Sequence, residues 1–408
     1  MSDFLPRGWT HVGLFDVVDM PQGQVDPRVE PYRSWPLLAP NHIESGAGRW
    51  TCVETAEAQG AISGKYLFEP GDVVYSKIRP YLRKVALVKR HGLCSADMYP
   101  LRAKATLDPG YLLAVLLSSE FTDFTVSVST RTGIPKVNRQ ELAQYRLKLP
   151  PLPEQRKIAA ILSAVDEVIE KTEAVIQSLQ ALKKAMMQEL LTRGLPGRHT
   201  RFKQTEIGEV PEEWEVARTG GICRSVVPGR SKPRQFNGTI PWVTVPDIGG
   251  IYVGASRGGL CVSLEELSAV GGKTVPAGTV LMSCAGRLGI VAVASRELVM
   301  NQQLHGFICS PSVLPEFLAL ALSVQQRQMD AAAGKTTIPY LNKTQCEAIA
   351  LPLPSRQEQE AIVLSIRAVL QRIEHELAIE EQQRVIKSAL MSVLLTGELR
   401  VTPDQDAA

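Results

Sequence analysis

The sequence predicts an α+β protein built as an internal repeat: two similar globular domains separated by two long antiparallel coiled-coil helices, related by a pseudo-two-fold axis. Three observations predict it. First, short motifs recur at one constant offset. Asn138 and Asn342, Glu154 and Glu358, and Thr192 and Thr396 are each 204 positions apart. The recurrence runs through a loop (Gly133-Ile-Pro-Lys-Val-Asn138-Arg139 against Thr337-Ile-Pro-Tyr-Leu-Asn342-Lys343), a connector (Leu147-Lys-Leu-Pro150 against Leu351-Pro-Leu-Pro354), a Glu-Gln pair and a terminal Leu-Leu-Thr. Second, between Glu154 and Gly194 the residues Ile158, Ile161, Val165, Val168, Thr172, Val175, Leu179, Leu182 and Met186 alternate steps of three and four. That heptad stripe demands a partner helix. Third, the remainder of each copy reads as short strands, Pro-Gly turns and few helices.

The elements follow in order. Residues 1–150 are the first globular domain. An apolar segment runs from Val12 to Val18, and Pro70-Gly71-Asp72 turns into a strand from Val73 to Ile78. Tyr81 to Lys89 is a second strand, Tyr111 to Phe121 a short apolar helix, and Leu147 to Pro153 a stiff connector. Residues 151–196 hold the first spacer helix, about 60 Å long at ~1.5 Å per residue. Glu154 and Lys183/Lys184 suit its dipole, and Gly194 with Pro196 stops it. Residues 197–206 read as a polar, basic linker. Residues 207–354 repeat the domain: Trp214 answers Trp9, Val280 to Ser283 answers Val73 to Ser76, and Pro315 to Val324 answers the Tyr111 helix. Residues 355–400 carry the second spacer helix, whose stripe is Ile362, Ile366, Val369, Ile373, Ile386 and Leu390, interrupted at Arg372, Glu376 and Gln383. Residues 401–408 are a tail.

Composition bounds the function. A chain of 408 residues with 44% hydrophobic content supports two real cores, and a net charge of +3 neither demands nor excludes nucleic acid. Seven dispersed cysteines without a C-x-x-C pair read as reduced thiols, and no signal peptide or apolar run of spanning length is present, so a cytoplasmic protein is expected. Catalytic constellations are missing. No Asp/Asn-Pro-Pro-Tyr/Phe tetrapeptide serves amino-methyl transfer. Gly334-Lys335-Thr336 lacks the first glycine of a phosphate cradle, since position 329 is Met329. No zinc-spaced cysteine or histidine set occurs, and the chain is expected to hold no metal or cofactor of its own.

Glu206-Ile-Gly-Glu-Val-Pro-Glu-Glu-Trp214, Gly71-Asp72-Val-Val-Tyr-Ser-Lys77-Ile-Arg-Pro80, Leu149-Pro-Pro-Leu-Pro-Glu154-Gln155 and the Leu-Leu-Thr helix ends, in this order and doubled, resemble the DNA-specificity (S) subunits of type I restriction–modification systems. The resemblance covers nearly the whole chain and departs at Ser355-Arg-Gln357, which replaces Pro151-Leu-Pro153. It implies two target-recognition domains and a helical spacer in a non-catalytic subunit that selects a bipartite, asymmetric site in double-stranded DNA. It further implies two methyltransferase (M) subunits, which would bind S-adenosylmethionine and methylate adenine, and restriction/translocase (R) subunits using ATP and magnesium. A reading from another class is a coiled-coil adaptor carrying two protein-recognition domains, with no DNA role.

On the DNA reading, lysine and arginine near loops position the backbone, and Asn, Gln and Arg read base edges. The first-domain candidates are Lys65, Tyr66, Lys77, Arg79, Arg83, Lys84, Arg131, Lys136 and Arg139. The second-domain candidates are Arg230, Lys232, Arg234, Arg287, Lys335 and Lys343, with Arg224, Arg257 and Lys273 nearby in sequence, and Asn301, Gln302, Gln303 and His305 form the most suggestive base-reading cluster. Asn138 and Asn342, being alike in both copies, read as turn residues, because base readers should differ between domains.

Overall fold

The computed structural model describes residues 5–51, 53–129, 133–229, 231–334 and 337–402. The chain divides into two compact units, residues 1–174 with 377–408 and residues 175–376. The division falls inside the helices. Each unit therefore owns part of both long helices, and the sequence boundaries at 150, 207 and 354 do not delimit the compact units.

In chain order the first unit contains β1 (Thr10–Gly13), β2 (Val18–Asp19), β3 (Val73–Ser76), β4 (Val85–Leu87), β5 (Met98–Ala103), α1 (Pro109–Leu117), α2 (Ser119–Val128), α3 (Arg139–Leu142), β6 (Arg146–Leu149) and the start of α4 (Leu152–Leu190). The central sheet is antiparallel in the order β2-β5-β3-β4. β1 pairs with β6, Thr10 opposite Leu149, so the expected connector is a strand as far as Leu149. Its alternation of Leu147 and Leu149 with Arg146 and Lys148 is the half-buried strand pattern. The Tyr81–Lys89 segment yields only β4, because Pro80–Leu82 takes a 3₁₀ turn. The single apolar helix is two, broken at Ser118, whose hydroxyl accepts from Phe121 N at 3.2 Å and caps α2. Tyr75, Leu101, Tyr111, Phe121, Ile158 and Leu162 pack into one core.

The second unit contains β7 (Phe202–Thr205), β8 (Gly208–Pro211), β9 (Glu215–Arg218), β10 (Cys223–Val226), β11 (Val280–Ser283), β12 (Val291–Ala294), β13 (Leu304–Cys309), α5 (Pro315–Ser323), α6 (Gln326–Ala333), α7 (Lys343–Glu347), β14 (Ala350–Leu353) and the start of α8 (Arg356–Leu394). Its larger sheet runs β10-β13-β11-β12 and ends on Tyr252–Val253. β9 pairs with β14 as β1 does with β6. The expected linker is in part structured: β7 and β8 form a hairpin. No single helix among the described residues is long and apolar enough to cross a membrane.

Each long helix starts on the same buried Glu-Gln pair. Glu154 accepts from Trp9 Nε1 at 3.0 Å and from Arg400 Nε and Nη2 at 2.7 and 2.9 Å. Gln155 accepts from Asp108 N at 2.8 Å and donates to the carbonyls of Thr106 and Pro150. In the second unit Glu358 accepts from Trp214 Nε1 at 3.1 Å and meets His199 Nε2 at 2.8 Å. Gln359 accepts from Leu314 N at 2.8 Å and donates to the carbonyls of Ser312 and Pro354. Ser355-Arg-Gln357 therefore leaves the helix entry unchanged.

The packed stripe corrects the sequence reading. Ile158, Leu162, Ile169, Thr172, Ile176 and Leu190 are buried on α4, and Val165, Leu179 and Met186 are half-buried. Ile161 is only half-buried, and Val168, Val175 and Leu182 are 47, 42 and 47% exposed. One heptad row was right and its companion was one residue off, because Ile161-Leu162, Val168-Ile169 and Val175-Ile176 are apolar doublets that fit either row. On α8, Ile362, Ile366 and Ile373 are buried and Val369 and Leu390 half-buried, whereas Ile386 is 54% exposed and Lys387 takes its row. Within the first unit the two helices run antiparallel. Asp166 pairs with Lys387 at 2.5 Å, Thr172 accepts from Gln383 at 3.2 Å, and Glu173 pairs with Arg384 at 2.6 Å, one number rising as the other falls. A polar seam of this kind fixes register more than it adds stability.

Gln359→Ala strands one buried N–H and two carbonyls. Urea denaturation should show a loss of about 2–5 kcal/mol, and Gln155→Ala should match it; losses below about 1 kcal/mol would show that the Glu-Gln pair is not the anchor.

Candidate nucleic-acid interface

In each unit one loop crossing places the candidate residues. The segment after β3 meets the loop before α3 through two backbone bonds, Arg79 N to Pro135 O at 2.8 Å and Val137 N to Lys77 O at 2.9 Å. In the second unit Gly286 N donates to Pro339 O at 2.9 Å and Leu341 N to Cys284 O at 2.8 Å. Asn138 then caps α3 in a reciprocal box with Glu141, and Asn342 caps α7 with Gln345, so both asparagines are structural. The caps set Arg139 and Lys343 as the first residues of equivalent helices.

The equivalence exposes a strained position. Arg79 and Gly286 occupy the same place, with φ of 49° and 75°. Glycine takes the left-handed region freely and arginine does so at a cost of about 1 kcal/mol or more. Arg83, φ 47°, closes the same turn, and these two are the non-glycine residues of positive φ among the described residues. Both side chains are exposed.

Around this turn the first unit gathers positive charge. Lys77 lies 5.0 Å over the Tyr99 ring, and the Arg139 guanidinium is 5.8 Å from both Tyr66 and Tyr99. Burial, then neighbouring Lys136, pushes the Lys77 ammonium below its ordinary range, with Arg139 adding to the effect and Asp97 opposing it. Among the described residues Lys77, Arg79, Lys136 and Arg139 form no ion pair. A cavity of about 680 Å³ in the same unit is lined by Arg49, Lys148, Arg384 and Lys387, each already paired with a carboxylate, and by the candidate Arg83.

Other candidates are turned inward. Lys65 is buried and donates to Ser63 O and Oγ at 2.6 and 2.8 Å. Lys84 donates to Pro40 O at 2.6 Å. In the second unit Tyr340 sits in the loop crossing, where the first unit has Lys136; Arg287 follows Gly286 in the chain, and Lys343 opens α7 paired with Glu347 at 3.5 Å. Asn301 is a buried turn brace, its Nδ2 and Oδ1 both engaged by Gln303. Gln302 is exposed and donates to Gly229 O at 3.1 Å, which brings it to the loop carrying Lys232 and Arg234. Lys232 covers the Phe236 and Trp242 rings at 5.9 and 5.5 Å. His305 takes the position of Tyr99 on the equivalent strand. It is buried, Nε2 has no partner, and burial pushes its pKa down to about 4, so it is neutral near pH 7. Arg224, Arg257 and Lys273 are exposed and stand apart from the crossing. Arg131, Arg230 and Lys335 lie outside the described residues. Sequence reasoning missed Tyr99 and Tyr340; the second was visible as the divergent residue inside the repeated Ile-Pro motif.

Residues 6–181 and 211–383 match the family described as type I restriction modification DNA specificity domain. The chain is 26% identical to the type I restriction enzyme MjaVIII specificity subunit of Methanocaldococcus jannaschii, over 97% of this chain and 94% of that one. It is 33% identical to the EcoDI specificity subunit of Escherichia coli over 48% of this chain, which spans 43% of that subunit. Among solved structures, one from a study of complex assembly and conformational transition of the type I R-M system has the same fold, with a TM-score of 0.64, 22% identity and coverage of 98% of this chain and 100% of that one.

Arg79→Gly removes the backbone strain and no packing. It should raise stability by about 0.5–1 kcal/mol in urea denaturation; a loss would mean that the arginine side chain holds the turn together.

Proposed function

The chain belongs to the type I restriction modification DNA specificity family, and from that premise we propose that it is the sequence-recognition subunit of a type I restriction–modification complex, reading a bipartite, asymmetric site in double-stranded DNA. The observation that carries this reading is the paired loop crossing. One backbone frame is used twice, presenting Arg79, Lys136 and Arg139, with a buried Lys77 beside them, in one unit and Arg287, Tyr340 and Lys343 in the other. A shared frame with different side chains suits two half-sites of different sequence. In the first unit cations without ion pairs near aromatic rings suit phosphates and bases, since each neutralised phosphate releases counterions; in the second, Lys343 is paired with Glu347 at 3.5 Å. The adaptor reading without a DNA role gains no support from the relatives.

The subunit itself is non-catalytic on this reading and works in the cytoplasm. Two methyltransferase subunits bring S-adenosylmethionine and modify adenine, and restriction subunits bring ATP and magnesium. In the second unit the outward row of α4, exposed Val175 and Leu182, is a candidate seat for a partner helix.

Binding of the assembled complex to its motif should weaken steeply with salt. Lys136→Ala should lower the slope of log K against log salt by about 0.9, the share of one phosphate. An unchanged slope would remove Lys136 from the interface, and salt-independent binding would contradict the DNA reading.

A further inference from the structure

Resting on the DNA reading above, we infer that Ile134 and Ile338 are apolar wedges that press into a base step at each half-site, a sequence-independent contact beside the residues that discriminate bases. Both are exposed, Ile134 at 60% and Ile338 at 67%. Both precede a proline, which confines them to extended backbone. Both tips are held by the equivalent bonds at the loop crossing, Pro135 O accepting from Arg79 N and Pro339 O from Gly286 N. The exposure therefore belongs to an anchored tip and not to a loose one.

The pattern of likeness and difference around the tips separates two jobs. Next to the isoleucines the units diverge: Lys136 corresponds to Tyr340, Arg79 to Gly286 and Arg139 to Lys343. The Ile-Pro pair is the same in both. A contact that chooses sequence should differ between half-sites, whereas one that deforms or seats the duplex need not. An exposed β-branched side chain gains nothing from water, and the cations around the tips, Arg79, Lys136 and Arg139 in the first unit and Arg287 with the Glu347-paired Lys343 in the second, define the polyanion that covers it. Apolar side chains that partly unstack a base step, with flanking cations on the phosphates, are an established way to seat and bend DNA.

The test uses the full chain assembled with its methyltransferase partners, and duplexes carrying the motif with 2-aminopurine in one half or the other. The parent complex should raise the fluorescence in both halves. Ile134→Ala should abolish the rise in one half and Ile338→Ala in the other, each with about tenfold loss of affinity and an unchanged salt slope. Ile134→Leu should restore the signal. Alanine variants with unchanged fluorescence and affinity, beside a parent that still binds specifically, would overturn the wedge and leave the DNA reading intact. Loss of the methyltransferase partner at unchanged DNA affinity would also overturn it, by making the tips a protein contact. A parent that binds no DNA specifically would overturn the DNA reading and the wedge with it.

Discussion

The structure depends on one buried interaction made twice, the Glu-Gln pair in the first turn of each long helix. The glutamate takes the indole N–H of a tryptophan from the start of the globular part, and the glutamine satisfies the loop ahead of α1 or α5 and the end of the last strand. Buried carboxylates and amides persist only when fully hydrogen-bonded. Here every bond of the glutamine goes to backbone that must be placed before the helix can start. The cation on each glutamate comes from beyond the end of the other helix, Arg400 on Glu154 and Arg198 on Glu358, where the His199 ring also bonds. The same latch thus ties a strand pair, a helix start and a helix end within each unit.

With the anchors fixed, the loops above them are free to vary. The two units keep the backbone bonds at the loop crossing and change the residues on it. Arg79 shows the cost of that change: where the second unit uses glycine in a left-handed position, the first carries an arginine and its strain. The charged seam between the helices belongs to the anchored layer. In the first unit Arg49, Glu173, Arg384, Asp166 and Lys387 neutralise one another, which separates them from the unpaired cations at Lys77, Lys136 and Arg139.

The repeat was legible because an offset of 204 through loop, strand and helix is a one-dimensional signal. The helix row was not, because adjacent apolar doublets leave a heptad undetermined to one residue. The repeat itself held the correction: carried back by the offset, Ile366 and Ile373 fall on Leu162 and Ile169, not on Ile161 and Val168. The strands at Arg146–Leu149 and Phe202–Thr205 were lost for another reason: the first pairs with a strand distant in sequence and its short alternation runs into prolines, and the second pairs across a tight turn. Of the candidate cluster, Arg79, Lys136 and Arg139 were nameable through their places near turns. The burial of Lys65, Lys77, Asn301 and His305 was not legible, because composition does not tell an exposed polar residue from one folded back on its own loop.

The central claim is that each unit reads its own half of one site. Methylome sequencing tests it most directly, in cells whose complex carries residues 1–150 exchanged for the first globular part of another family member. The account predicts a methylated motif in which one half changes and the other is retained. A motif changed in both halves, or in neither while methylation persists, would contradict it.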